Sequence, residues 1–179
     1  MPEWVIQILQ LVVVPISIGL LTSLLFLIII SRFRPNIQIS TNIAKVASKK
    51  YSGKMAYVVK IVNKSRRAAV DVKARLAMVQ EKIVPDGSIM RTTDFELEKD
   101  SQFEIPGFDK KEPEASAFRF VTYDDVETKW NDDKASLMFV VYAKDSLTGF
   151  GKVFTQKYYL KRMTLKEGSF KAGVSMEIA

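Results

Sequence analysis

The sequence predicts an all-β domain, an antiparallel β-sandwich, tethered behind one N-terminal transmembrane α-helix. Three features predict it. An uncharged apolar stretch runs from Trp4 to Ile30, an apolar–polar alternation of period two begins at Ile37, and turn signals cut the rest into short runs. The expected divisions are residues 1–3 as a short extracytoplasmic N-terminus, 4–30 as the helix, 31–36 as a juxtamembrane linker and 37–179 as a cytosolic domain.

The helix rests on length and composition. Between Trp4 and Ile30 no side chain is charged, and from Leu11 onward only Ser17, Thr22 and Ser23 carry side-chain hydrogen-bonding groups. About 20 apolar residues cross a ~30 Å hydrocarbon core. A cleaved secretory signal needs a basic start, an apolar core of about 7–15 residues and a small-residue cleavage site. Met1-Pro2-Glu3 and Ser31-Arg32-Phe33-Arg34 supply neither end. Residues 32–67 then carry ten basic groups and no acid. Lys and Arg beside a span stay on the cytoplasmic side, so the expected location is the cell inner membrane, single-pass, with the N-terminus out and the C-terminal domain cytoplasmic. The absence of cysteine agrees with a reducing compartment.

Two sets of residues near the span suggest partners. Pro15, Gly19 and Ser23 are four apart, with Thr22 bordering them, and small residues on one face let helix backbones approach. This points to a homo-oligomer or a membrane-protein partner, and the commonness of Gly and Pro in membrane helices explains it equally. Arg32, Arg34, Lys45, Lys49, Lys50 and Lys54 form the first basic stretch and would be drawn to anionic membrane lipid, at about 1 kcal/mol per cation near the surface. The same residues also read as an orientation signal and nothing more.

The domain follows in order. Ile37, Ile39, Thr41 and Ile43 alternate as a first strand, and Met55, Tyr57, Val59 and Ile61 as a second. Val70, Val72, Ala74, Leu76 and Met78 face one way while Asp71, Lys73 and Arg75 face the other, as in a sheet with one wet side. Pro85-Asp86-Gly87-Ser88 is a turn. It leads into a strand carrying Ile89, Arg91, Thr93, Phe95 and Leu97, then a short apolar pair, Phe103 and Ile105. Residues 108–116 read as a surface loop, 117–123 as a strand with Phe118 and Phe120 inward, and Asp124–Lys134 as a short helical turn. Residues 135–145 and 150–163 make a hairpin, and 165–178 supply one edge strand. Seven to nine short strands with almost no helix outside the membrane argue for an immunoglobulin-like antiparallel β-sandwich, with a barrel second.

The hairpin VVYAKDSLTGFGKVFTQKYY resembles a strand, D-x-x-T/S-G turn and Tyr-closed strand in the cytosolic domain of inward-rectifier potassium channels. YVVKIVNKSRRAAVDVKARL is similar in kind to that domain's earlier strand pair. The resemblance covers about a third of the chain. It implies an immunoglobulin-like sandwich lying under a membrane helix, self-assembling and coupled to that helix. One span in place of two, and no T-V-G-Y-G filter, leave ion selectivity out of it.

The chemistry is defined largely by what is missing. With no histidine and no cysteine, the usual general base, the thiol nucleophile and nearly all zinc chemistry are gone. No phosphate-binding glycine loop follows a strand, and no cofactor is expected. Asp124, Asp125, Glu127, Asp132 and Asp133 do not match a calcium-loop spacing and read as a solvated loop. The basic residues lack an aromatic platform, so a nucleic-acid partner is not expected. Lys64, Arg66 and Arg67 crowd one turn, where they could meet the phosphate of a nucleotide ligand or a partner, or simply be a solvated hairpin tip. Asn63-Lys64-Ser65 matches a glycosylation acceptor by a short pattern only. The expected function is therefore non-catalytic. Either the domain recognises a ligand or protein and biases self-assembly of the helix, as a sensor, effector or pore of the kind found in bacterial defence, or the chain is an accessory or scaffold subunit of a larger membrane complex.

Overall fold

The computed structural model describes residues 3, 7, 9–31, 33–48, 50–132 and 134–179. Most of the expected N-terminal segment, residues 4–6 and 8 of the expected helix, Arg32, Lys49 and Asp133 therefore lie outside the described residues. The chain divides into two units, Met1–Arg34 and Pro35–Ala179.

In the first unit a π-helical turn, Leu9–Val13, runs into α1, Val14–Ser31. Pro15 lacks the N–H that would bond to Leu11, and a widened turn is one way a helix absorbs such a loss. Gln10–Ile30 is long and apolar enough to cross a membrane, with a mean hydropathy of 2.7 and none of it buried. A helix apolar on every face needs a core or a bilayer around it.

The second unit is built of strands. They are β1 (Ile37–Ile39), β2 (Ile43–Ala47), β3 (Met55–Asn63), β4 (Ala69–Val84) and β5 (Gly87–Phe95), then β6 (Ser101–Ile105), β7 (Ala117–Thr122), β8 (Ser136–Asp145), β9 (Gly151–Tyr158) and β10 (Leu165–Glu167). Two single helical turns interrupt them, α2 (Val126–Lys129) and α3 (Lys161–Thr164). In the first sheet, β3 pairs with β1 and β2 along one side and with β7 along the other, and β10 joins β2. In the second, β5 and β6 share one side of β4, β8 takes the other, and β9 lies outside β8. Every ladder is antiparallel except β2–β10, which is parallel.

One core draws on both sheets. Ile43, Tyr57, Val59, Ile61 and Phe120 come from the first, and Val72, Leu76, Leu137, Phe139 and Val141 from the second. The Phe120 and Phe139 rings meet at 5.7 Å between centroids. Burying each such side chain is worth about 1.5–3 kcal/mol. The Tyr158 hydroxyl donates to the Ser40 carbonyl at 2.8 Å, tying β9 to the first sheet, and burial pushes its phenol well up.

Several expectations need correction. The first strand is broken at Ser40–Asn42: Ser40 is buried and bonds back to Asn42, which leaves Thr41 exposed. In β4 the parity changes at Asp71, whose φ of 50° and a register shift between Val70 and Lys73 mark a β-bulge. The inward row is thus Ala69, Val72, Ala74 and Leu76, and Val70 is displaced from it. The Pro85–Asp86 turn forms where expected, with Val84 opposite Gly87. The ribbon it closes outruns the core, so Ile83, Ile89 and Met90 are exposed. Phe103 is exposed while Ile105 is buried. The helical turn expected within Asp124–Lys134 is α2, capped by Asp125, whose carboxylate accepts from the Thr128 amide.

Candidate functional site

The turn after β3 is built around Asn63. Its buried side-chain amide donates to the carbonyls of Arg67, Ile105 and Pro106 at 2.9, 3.2 and 3.1 Å, and its oxygen accepts from the Ser65 amide. Asn63 is therefore a strut of this corner, spent on backbone. Gly107 completes it. A Cβ there would stand 2.3 Å from the Arg66 carbonyl oxygen, so only glycine allows the approach.

The same corner separates the three basic residues expected to act together. Arg67 donates from Nε to Asp145 Oδ2 at 2.8 Å, and Asp145 is 1% exposed. Burial alone would raise the Asp145 carboxyl, but the Thr148 and Leu147 amides and the Arg67 guanidinium outweigh it and hold it below the usual range. Arg67 thus serves as the counter-ion of Asp145. Lys64 and Arg66 are exposed, with the Lys64 ammonium 6.0 Å from the centre of the Phe108 ring.

The first basic stretch is likewise divided. Lys45 lies in β2 and pairs with Glu127 at 2.5 Å, and Lys50 pairs with Glu98 at 2.5 Å. Those hydrogen bonds hold both ammonium groups above their ordinary range. Lys50 and Lys54 both approach the Tyr51 ring, at 5.4 and 5.5 Å. Within the domain Lys45 and Lys50 each face a carboxylate, Lys50 at an exposed position. Arg34 is exposed. On α1, Pro15, Gly19, Thr22 and Ser23 are all exposed, and a Cβ at Gly19 would meet nothing. Thr22 is satisfied within its own helix, donating to the Ile18 carbonyl at 2.8 Å.

A cleft of about 850 Å³ lies between α2 and α3, at residues that no sequence motif marked. Trp130 forms its floor, with the indole N–H donating to the Ala135 carbonyl at 2.9 Å. Tyr159, Leu160 and Met163 form an exposed apolar wall. The wall is held by two long-range bonds: the Lys161 ammonium to the Glu127 carbonyl and the Asn42 side-chain amide to the Met163 carbonyl, each 2.8 Å. Asp132, bonded by Gln80 at 2.6 Å, lines the cleft together with the charged side chains of Glu127, Lys161 and Arg162. Among the described residues no group of three His, Cys, Asp or Glu side chains could hold a metal ion. What the cleft offers is apolar contact beside fixed charge, a surface for recognition.

No protein-family model matches the chain, and no curated protein matches it. Among solved structures it is similar to the crystal structure of Spo0M, the sporulation control protein of Bacillus subtilis, at 10% identity and a TM-score of 0.41. That match covers 70% of this chain and 49% of the other, so this chain spans about half that structure's length.

Proposed function

We propose that this chain is a non-catalytic, single-pass membrane protein whose cytosolic domain recognises a ligand or protein partner and couples that event to self-assembly of its membrane helix. One observation carries the reading: a helix apolar on every face, none of it buried, is joined in one chain to a β-unit with a core of its own. A lone helix of that kind finds its solvent in a bilayer. The ten basic groups of residues 32–67 favour an inner membrane topology with the domain on the cytoplasmic side.

The strand order supports an immunoglobulin-like sandwich. With β1 and β2 counted as one broken strand, and β5 and β6 as another, strands one, two and five share a sheet. Strands four, three, six and seven share the other. Gly19 and Ser23, with Pro15 and Thr22 beside them, are the proposed helix contact, and Arg32 and Arg34 the cations at the lipid surface. The cleft walled by Tyr159, Leu160 and Met163 is the proposed partner surface. A second reading, an accessory subunit docked on a larger complex, is favoured by the exposed ribbon tip at Ile83, Ile89 and Met90.

Mass determination of the full chain in mild detergent separates the two. A homo-oligomer whose mass falls in Gly19→Ile, with the β-type circular dichroism unchanged, supports self-assembly. An unchanged oligomer mass in that variant removes the small-residue interface, and a monomer recovered only with other subunits selects the accessory reading. Protease shaving of intact cells tests the orientation: digestion of the domain from outside would overturn it.

A further inference from the structure

Lys60 is 1% exposed, yet it sits on the outer face of the first sheet. It lies directly across from Arg119 in the β3–β7 ladder, an arrangement in which like charges repel. Among the described residues no carboxylate bonds either cation. The chain beyond β10 supplies carbonyl oxygens instead. The Lys60 ammonium donates to Lys171 and Ser175 at 2.7 and 2.8 Å, and one Arg119 nitrogen, Nη2, donates to Phe170 at 2.9 Å and to Lys171 at 3.4 Å. An ammonium has three N–H donors and a guanidinium five, so carbonyl capping leaves donors on both. Carbonyls also leave the formal charge of the pair in place.

Beside the pair opens a pocket of about 480 Å³, lined by Lys60, Arg119, Glu114, Ala117, Phe118 and the Ala172–Gly173 turn. That volume falls within the usual range for small-molecule sites, about 300–1,000 Å³. A phosphate monoester carries a charge of about −1.5 to −2 at neutral pH, which answers two cations where a carboxylate would answer one. Glu114, exposed at the mouth, is the one acid lining the pocket, and it opposes an incoming anion.

We propose that this pocket binds a phosphate group, held by Lys60 and Arg119, with Ala117, Phe118 and the Ala172–Gly173 turn packing against the body that carries it. The site shares no residue with the α2–α3 cleft. It gives the ligand-recognition reading a chemical class and rests on that reading only for transmission to the helix.

Calorimetric titration of the full chain in mild detergent tests it with three probes: inorganic phosphate, adenosine monophosphate and a short-chain phosphatidic acid. At least one is expected to bind saturably, and the probe that binds tightest identifies the source as free ion, nucleotide or lipid headgroup. Arg119→Gln, at an exposed position, is expected to raise the Kd roughly tenfold or more, as loss of a charge-assisted bond does. Glu114→Gln is expected to lower it, an opposite sign that mere loss of structure would not give. Lys60→Met is expected to abolish binding. No saturable binding of any probe to the wild-type chain overturns the proposal, as does an Arg119→Gln variant that binds like wild type. Oligomer mass is read separately, so this site and the helix interface can each fail alone.

Discussion

Arg67, in the turn after β3, and Lys60, within β3, start from the same difficulty, a cation taken partly or wholly out of water, and the fold answers each differently. Arg67 meets the buried carboxylate of Asp145, itself held by the amides of the β8–β9 turn. That corner is electrically closed and leaves nothing for a ligand to add. Among the described residues, the hydrogen bonds of Lys60 and its neighbour Arg119 go to backbone carbonyls. Their dipoles satisfy hydrogen bonds without cancelling charge, so the pair remains receptive to an anion. A buried ion pair tells of stability or register; a buried cation beside a second one, with no carboxylate bonded to either among the described residues, tells of something yet to arrive.

The contrast can be broken by substitution, beginning with the closed corner. Asp145→Ala removes the carboxylate that accepts from the Arg67 guanidinium and from three donors of the β8–β9 turn. It is expected to cost about 3 kcal/mol, the low end for breaking a buried pair because Arg67 is half exposed. Urea unfolding followed by Trp130 fluorescence, in a Trp4→Phe background, measures it. A loss below about 1 kcal/mol would mean the corner is no more closed than the outer pair. Gly107→Ala is expected to cost about 2 kcal/mol in the same assay, because the Arg66 carbonyl it would strike is backbone and cannot turn aside.

Lys60→Met should behave in the opposite manner, staying within about 1 kcal/mol of wild type, since exchanging a buried charge for an apolar chain is often neutral. A loss as large as that of Asp145→Ala would show the outer pair to be a structural staple. The smallest effect is one of pH. Burial, and then the nearby Arg119 charge, lower the Lys60 ammonium below its ordinary 10.5, with Glu114 opposing. The folded chain therefore gives up this proton before the unfolded chain does. The burial penalty is full below the folded value and shrinks as pH rises from there toward 10.5. Wild-type Tm is expected to gain on Lys60→Met across that alkaline window. Asp145, lowered from 3.8, acts at the other end: its contribution is present above that value and lost as pH falls through the folded one. Asp145→Ala should therefore flatten the acid limb and leave the alkaline one alone.

What could be read from the sequence is what is encoded locally. The apolar helix, the Pro85–Asp86 turn, the β8–β9 hairpin and the α2 turn each depend on residues within a few positions of one another. The broken first strand and the bulge at Asp71 obey the same alternation but shift its phase, and a period cannot announce where it will slip. The ribbon tip misled for a related reason, because Ile83, Ile89 and Met90 look like core residues until the opposing sheet ends short of them. The candidate sites were the least legible. Asp145 lies 78 positions from Arg67, and the carbonyls that cap Lys60 lie 111 and 115 positions away. Lys64, Arg66 and Arg67 looked like a cluster because they are adjacent in the chain. Lys60 and Arg119 are the pair that the fold assembles.

The parallel pairing of β2 with β10 sets Ile43 beside Leu165. On a ribosome adding about 5–20 residues per second, the outer edge of β2 stays bare for roughly ten seconds before its partner is even made. A bare edge is a template for other strands. A nascent chain of this protein, or one cut short before Leu165, thus offers an adhesive ribbon that chaperones must shield and a protease can recognise as unfinished.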